Sequence, residues 1–271
     1  MGDDELSPPA SPAPRPALRA VALPSEHGGW GLTAEPIVLG LLTAPSIAGF
    51  FLGLAAMLAF IAHTPLRVVL VDRHRDRELP RTALARRVLL GELAAIAALG
   101  SAAALLTSDT FWWPALIAAP LLAVSLWFDT RSRSRRLAPE LAGTIGIASV
   151  AAMIVLAGGG DVTIAVAAWL ILAARAVTSI PHVRSQIAAL HDRPEQPRVL
   201  LAADAAAAAT TIAGVLVTVS ALAGAISVAA VIAIQRFTSS RHDAAKVIGI
   251  RQMVLGLVVV VATAAGLNSV I

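Results

Sequence analysis

The 271-residue chain contains no cysteine and no tyrosine. Without cysteine there is no disulfide, no thiolate nucleophile and no Cys-ligated metal. Charged residues make up 14% of the chain, against about 25% in a soluble domain. With 57% hydrophobic residues and a mean hydropathy of +0.78, it lacks the polar groups to cover a globule in water. The reading is an all-α integral membrane protein. Aromatics are scarce at 4%, and arginine supplies nearly all the positive charge in a total of 21 Lys+Arg against 17 Asp+Glu. A basic balance often means nucleic acid. Here the basic residues fall in short clusters between apolar runs, which is a topology pattern, so no nucleic-acid partner is expected.

Residues 1–20 hold no apolar core of a signal peptide: MGDDELSPPASPAPRPALRA is acidic, then Pro/Ala-rich. Residues 1–23 are expected as a disordered cytoplasmic tail before a single membrane domain over 24–271. A crossing helix needs about 20 apolar residues. The apolar runs are 30–44, 46–71, 84–107, 112–128, 137–157, 161–180, 199–221, 223–237 and 251–269, giving about nine crossings. Pro45 splits the first two. The run from Val199 to Gln235 is too long for one crossing and is expected to break near Ser220–Gly224.

The connections alternate in character. Those at 72–82, 130–137, 181–198 and 238–250 are charged; those at Pro45, 107–111, 157–161 and Gly224 are tiny and carry no Lys or Arg. The positive-inside rule puts the charged set and the N-terminus in the cytoplasm. Nine crossings leave the C-terminus outside, in a multi-pass protein of the cell (inner) membrane.

Two helix ends echo each other. RVVLVDRHR carries Arg67 and His74; RAVTSIPHVR carries Arg175 and His182. Each pair is seven apart, two helical turns, and so shares a face. The copies are offset by 108 residues, which suggests an internal repeat over about 30–128 and 137–237. Chance is the alternative, because arginine at such ends is expected anyway. Arginine inside a span usually faces the bundle and finds a partner, or else snorkels to the interface. A guanidinium suits phosphate or carboxylate.

Asp72 and Asp76 are four apart. On a continuing helix they would share a face and could grip one Mg²⁺, with Arg73, Arg75 and Arg77 interleaved. A salt-bridged solvated loop is the alternative. His63, ahead of Pro65, reads equally as structural or functional. In PSEHGGWGLTAEP, Glu26, His27 and Glu35 stand at the start of the first span, and the glycines would permit a tight or re-entrant backbone. Glu26 or Glu35 is expected to pair with a buried arginine, Arg67 or Arg175 first, because a lone carboxylate there is expensive. The expected substrate-binding set is Glu26, His27, Glu35, His63, Arg67, His74, Arg75, Arg175, His182 and Arg184; the expected metal ligands are Asp72 and Asp76.

Pro24, His27, Gly28, Trp30, Pro36 and Gly40 resemble the N-terminal signature of the YwiC-like membrane protein family. That resemblance implies a membrane protein without an assigned reaction. In architecture, polar loops after the second and sixth helices resemble the UbiA superfamily of intramembrane prenyltransferases. This wider resemblance implies a helical bundle that holds an isoprenoid diphosphate and Mg²⁺ on Asp-rich loops. The chain departs from the pattern. Val71 stands where the first motif has Asn, and Pro181-His182-Val183-Arg184 offers no Asp pair. A two-cluster Mg²⁺ site cannot be assembled from these positions. The functional expectation is a UbiA-like transferase or relative that binds an isoprenoid or other amphiphilic anion at its cytoplasmic face, in contact with the lipid bilayer. The alternatives are a non-catalytic transporter and a lipid- or partner-binding membrane protein. The scarcity of aromatics counts against shielding of a carbocation.

Overall fold

The computed structural model describes residues 18–24, 27–107, 110–131, 136–194, 196–238 and 243–269. These residues form ten α-helices: α1 (Leu18–Ala22), α2 (His27–Thr43), α3 (Ile47–His74), α4 (Pro80–Leu106), α5 (Trp113–Thr130), α6 (Leu137–Ala157), α7 (Val162–Ala189), α8 (Pro197–Val217), α9 (Leu222–Thr238) and α10 (Ala245–Asn268). Among the described residues there is no strand, as apolar surroundings demand: only a helix satisfies every backbone group within one segment. Eight segments are long and apolar enough to cross a membrane: α3 to α8, the Val219–Thr238 segment containing α9, and α10. The chain is therefore a multi-pass membrane protein. α2, with 17 residues, stands where the first of the nine runs is expected but is too short to belong to the set of eight.

The observed helices follow the expected runs, with longer ends at the charged loops. α3 extends to His74 and α7 to Ala189, each 28 residues. The break in the long C-terminal run falls at Thr218, followed by a 3-10 turn over Val219–Ala221. That is slightly earlier than the sequence suggested. α1 departs from the expected tail: it packs on α3 and α4 with Val21 buried. The stretch His27–Glu35 is regular helix, so no re-entrant turn forms at its glycines.

α7 is the hub. Its apolar window is 61% buried, against 11% for α4. Its inner faces are alanine-rich (Ala165, Ala167, Ala168, Ala173, Ala174 and Ala176 are buried), which lets neighbouring backbones approach closely. Gly40 does the same for α2 against α6, where a Cβ would meet Ile154 at 2.7 Å. Large apolar side chains on the outside, such as Leu105, Leu216 and Phe237, face lipid rather than a core.

The charged connections gather at one end of the bundle. There Arg184 of α7 meets Glu140 of α6 at 2.7 Å, and Arg251 of α10 meets Gln186 of α7 at 2.8 Å. At the other end Asn268 donates to the Leu42 carbonyl, and Gly158 abuts Ala44. Asp161 caps α7 there. It accepts from the hydroxyl and the amide of Thr163, bonds that hold its carboxyl below the usual carboxylate range.

The echo between α3 and α7 is only partly spatial. Both helices have 28 residues, both carry a late proline (Pro65, Pro181), and each packs most heavily on its successor. Their first residues, Ile47 and Val162, are 115 positions apart, not the 108 that separates the Arg–His motifs. Arg67 lies seven residues from the end of α3, and Arg175 fourteen from the end of α7. Seven residues are almost two full turns, so each arginine lies at nearly the same angle relative to the end of its own helix. Arg175 is simply about 10 Å deeper.

Candidate functional site

The midpoint of the bundle holds an ion pair. Glu35 is the ninth residue of the 17 in α2, and Arg175 the fourteenth of the 28 in α7. Arg175 Nη2 lies 3.0 Å from Glu35 Oε1 and donates to the backbone carbonyl of Gln252 on α10 at 2.7 Å. Arg175 is 2% exposed. This is the pairing expected for a carboxylate within a span. Gly256, one turn beyond Gln252, makes the room. A Cβ there would collide with the Glu35 carboxylate and lie 2.6 Å from Arg175 Nη2.

From this pair a polar file runs along α7 toward the charged end. Gln235 of α9 donates to Ser179 Oγ at 2.9 Å and reaches Gln252 Oε1 at 3.3 Å. Thr178 donates to Asp204 of α8 at 2.6 Å. Asp204 also accepts from His182 Nε2 at 3.1 Å and Arg236 Nε at 2.7 Å. Gln186 accepts from Arg251, which pairs with Asp243 at 2.7 Å. Five helices contribute, and Gln235 and His182 are fully enclosed. The file carries three guanidiniums (Arg175, Arg236, Arg251) and three carboxylates (Glu35, Asp204, Asp243) among the described residues. Several nitrogens remain without a partner: Arg175 Nε, His182 Nδ1, Arg251 Nε and Gln252 Nε2. Asp204 can only accept when ionised, so it takes the Nε2–H of His182 and leaves Nδ1 bare.

The other expected arginine behaves differently. Arg67 lies on an exposed face of α3, as does His74 at its end, so the inward orientation expected for Arg67 is not found. Two turns closer to the helix end, it reaches the membrane boundary and needs no partner in the bundle. One turn deeper on the same face, His63 Nε2 meets Asp129 of α5 at 2.6 Å; Asp129 is buried and His63 half-exposed. Arg75 is exposed, and Arg184 is half-exposed in its pair with Glu140. Glu26 lies outside the described residues, and of His27 only the backbone is described.

Asp72 and Asp76 do not share a helical face, because α3 stops at His74. Asp76 follows in the left-handed region, φ 48°, and is exposed. Asp72 is 1% exposed and fully engaged: Arg81 donates to both its oxygens, from Nη2 at 2.9 Å and from Nε at 3.3 Å, and the Thr82 hydroxyl donates at 2.6 Å. It closes the α3–α4 turn as a bidentate anchor. A Mg²⁺ ion would have to break that anchor, and no group of three or more His, Cys, Asp or Glu gathers elsewhere among the described residues. The donors do not fit the expected cation.

Beside this anchor is a cavity of about 480 Å³. Val69, Arg73 and Asp76 line it from the α3 side, Arg77 and Glu78 from the turn, and Thr82 and Arg86 from α4. Its three arginines outnumber its two acids.

The residues that sequence reasoning left out of the site are Gln235, Gln252, Thr178, Ser179, Arg236 and Arg251, together with Asp204. Gln235, Gln252 and Asp204 are each polar residues inside otherwise apolar runs, a signal that was available.

Neither a curated protein nor a solved structure matches the chain. The family model described as YwiC-like protein matches residues 23–155. That segment takes in α2 to α5, α6 up to residue 155, the Asp72 anchor, the arginine cavity and Glu35, but not Arg175 or the rest of the file. Over residues 23–155 the chain is similar to the YwiC-like family.

Proposed function

We propose that the protein holds the anionic head group of an amphiphile in the α3–α4 cavity, with the charged end of the bundle on the cytoplasmic side of the cell membrane. The observation that carries this reading is the cavity itself: Arg73, Arg77 and Arg86 converge on a space at the end of two membrane-length helices. Head groups lie at that depth, and each basic residue near an anionic surface contributes about 1 kcal/mol. Guanidiniums hold phosphate oxygens in bidentate fashion. The Asp72–Arg81 anchor fixes the turn that carries Arg77. Orientation follows from the arginine-rich loops and the positive-inside rule.

An isoprenoid diphosphate is a member of this class, and the arginines would supply positive charge at its leaving group without a metal. The experiment is a titration of the full-length protein in phosphatidylcholine nanodiscs with farnesyl diphosphate, with farnesol as the uncharged control. Saturable binding of the diphosphate alone is expected, weakened at least tenfold in the Arg73→Gln/Arg77→Gln double variant. Equal binding of farnesol, or no change in the variant, would overturn the reading. Labelled product in the same samples, given an acceptor, would add catalysis.

A second reading, transport, is favoured by one specific observation: a file of charges, buried at Arg175 and Asp204 and exposed at Arg236, reaches from the charged end to the bundle midpoint. Ionisable groups inside a membrane commonly mark ion or substrate pathways.

A further inference from the structure

The cavity between α3 and α4 is lined by charges of both signs. Arg73, Arg77 and Arg86 face it together with Asp76 and Glu78, and all five residues are exposed. Among the described residues none of the five forms a side-chain hydrogen bond or an ion pair. Arg77 acts on Asp72 only through space. Other acids near this end of the bundle are engaged: Asp72 by Arg81 and Thr82, and Glu140 by Arg184. Opposite charges that share a wall and do not pair leave donors and acceptors for a ligand that carries both signs.

The chain fixes where each sign lies. α3 ends at His74 and α4 begins at Pro80. Arg73 is within α3, and Arg86 is about 9 Å along α4 from its first residue. Asp76 and Glu78 lie in the turn beyond both helix ends, with Arg77 between them. The Asp76 amide donates to the Arg73 carbonyl at 3.2 Å and the Arg77 amide to the Asp72 carbonyl at 2.9 Å, so this turn is tied to the last residues of α3. Along the helices, then, two arginines come first from the membrane side and the two carboxylates lie outermost. A lipid head group with an amine has the same order: the phosphate is next to the chains, and the ammonium is further out.

We infer that the cavity selects a head group that carries a phosphate and, beyond it, a primary ammonium, as phosphoethanolamine does. Arg73 and Arg86 hold the phosphate oxygens, and Asp76 and Glu78 accept from the ammonium. This inference rests on the head-group reading and narrows its ligand class. A bare anion would use the arginines and leave both carboxylates facing its charge. The source is a lipid, because the cavity stands at the end of two membrane-length helices.

The test is native mass spectrometry of the full-length protein in maltoside detergent. It is titrated with dioleoyl phosphatidylethanolamine and, separately, with dioleoyl phosphatidylglycerol, which keeps the phosphate and lacks the amine. Saturable binding of phosphatidylethanolamine to the wild type is expected. The Asp76→Asn/Glu78→Gln variant is expected to bind it about three- to fivefold more weakly, the size of an exposed ion pair. The same variant is expected to bind phosphatidylglycerol at least as tightly as the wild type does, because the cavity loses two negative charges. Asparagine tolerates the left-handed backbone at residue 76, so the turn is kept. Unchanged or tighter binding of phosphatidylethanolamine by the variant, or equal weakening of both lipids, overturns the inference. A wild type that binds phosphatidylglycerol alone also overturns it and leaves the head-group reading standing. Binding of neither lipid, or no loss of either in Arg73→Gln/Arg77→Gln, overturns both. Free phosphoethanolamine that displaces the lipid at equal concentration overturns the lipid as its source.

Discussion

α3 and α7 start from the same material and end in opposite roles. Each has 28 residues, a late proline and an Arg–His pair seven apart. In α3 the pair lies within two turns of the helix end, and both residues are exposed. In α7 the pair is two turns deeper, and both residues are buried and bonded. A shift of about 10 Å along the helix converts boundary arginine into interior arginine. The interior position then demands partners, and α2, α8 and α10 supply them. The family match stops before α7, so the YwiC-like segment keeps the boundary version, with its open cavity, while the buried file is built mostly from the remainder of the chain.

Substitutions that treat the two arginines alike should separate them. Arg175→Ala leaves Glu35 buried and unpaired and is expected to cost about 3–5 kcal/mol. Arg67→Ala is expected to cost no more than about 1 kcal/mol. Thermal unfolding in the same detergent measures both, and equal losses would break the comparison. Next in size is Gly256→Ala, which drives a Cβ into the Glu35 carboxylate and should cost about 1–3 kcal/mol. Gly249→Ala on the same helix meets nothing within 4 Å and should be neutral or slightly stabilising. Asp72→Asn is expected to cost about 1–2 kcal/mol, because it weakens the bonds from Arg81 and Thr82 without emptying the site. Proteolysis of the α3–α4 turn should then speed up, whereas Asp76→Asn should leave it unchanged. Comparable acceleration by both would mean that Asp72 is no anchor.

Much of this arrangement is legible in the sequence, for physical reasons. Helix spans follow from the length of apolar runs, which the bilayer dictates, so α6 is found at the expected 137–157. The Glu35–Arg175 pair follows from the cost of a lone charge within a span. What escapes is depth and local closure. Aligning Arg67 with Arg175 by motif hides the two-turn offset, because the ends of α3 and α7 are set by turns and not by the motif. Asp72 looks like a metal ligand beside Asp76 until the chain turns and brings Arg81 to it, a contact that depends on the backbone between. Gln235 and Gln252 attract little notice as neutral residues, yet they bridge the midpoint pair to the Asp204 cluster.

The central claim is that Glu35 and Arg175 compensate each other at the midpoint of the bundle. The most direct test is a double-mutant cycle on the stability of the full-length protein with Glu35→Ala, Arg175→Ala and both together. Each single change strands a buried charge, and the double change strands none. The predicted result is a coupling of at least about 2 kcal/mol, with the double variant more stable than the Arg175→Ala protein. Additive losses would contradict the account.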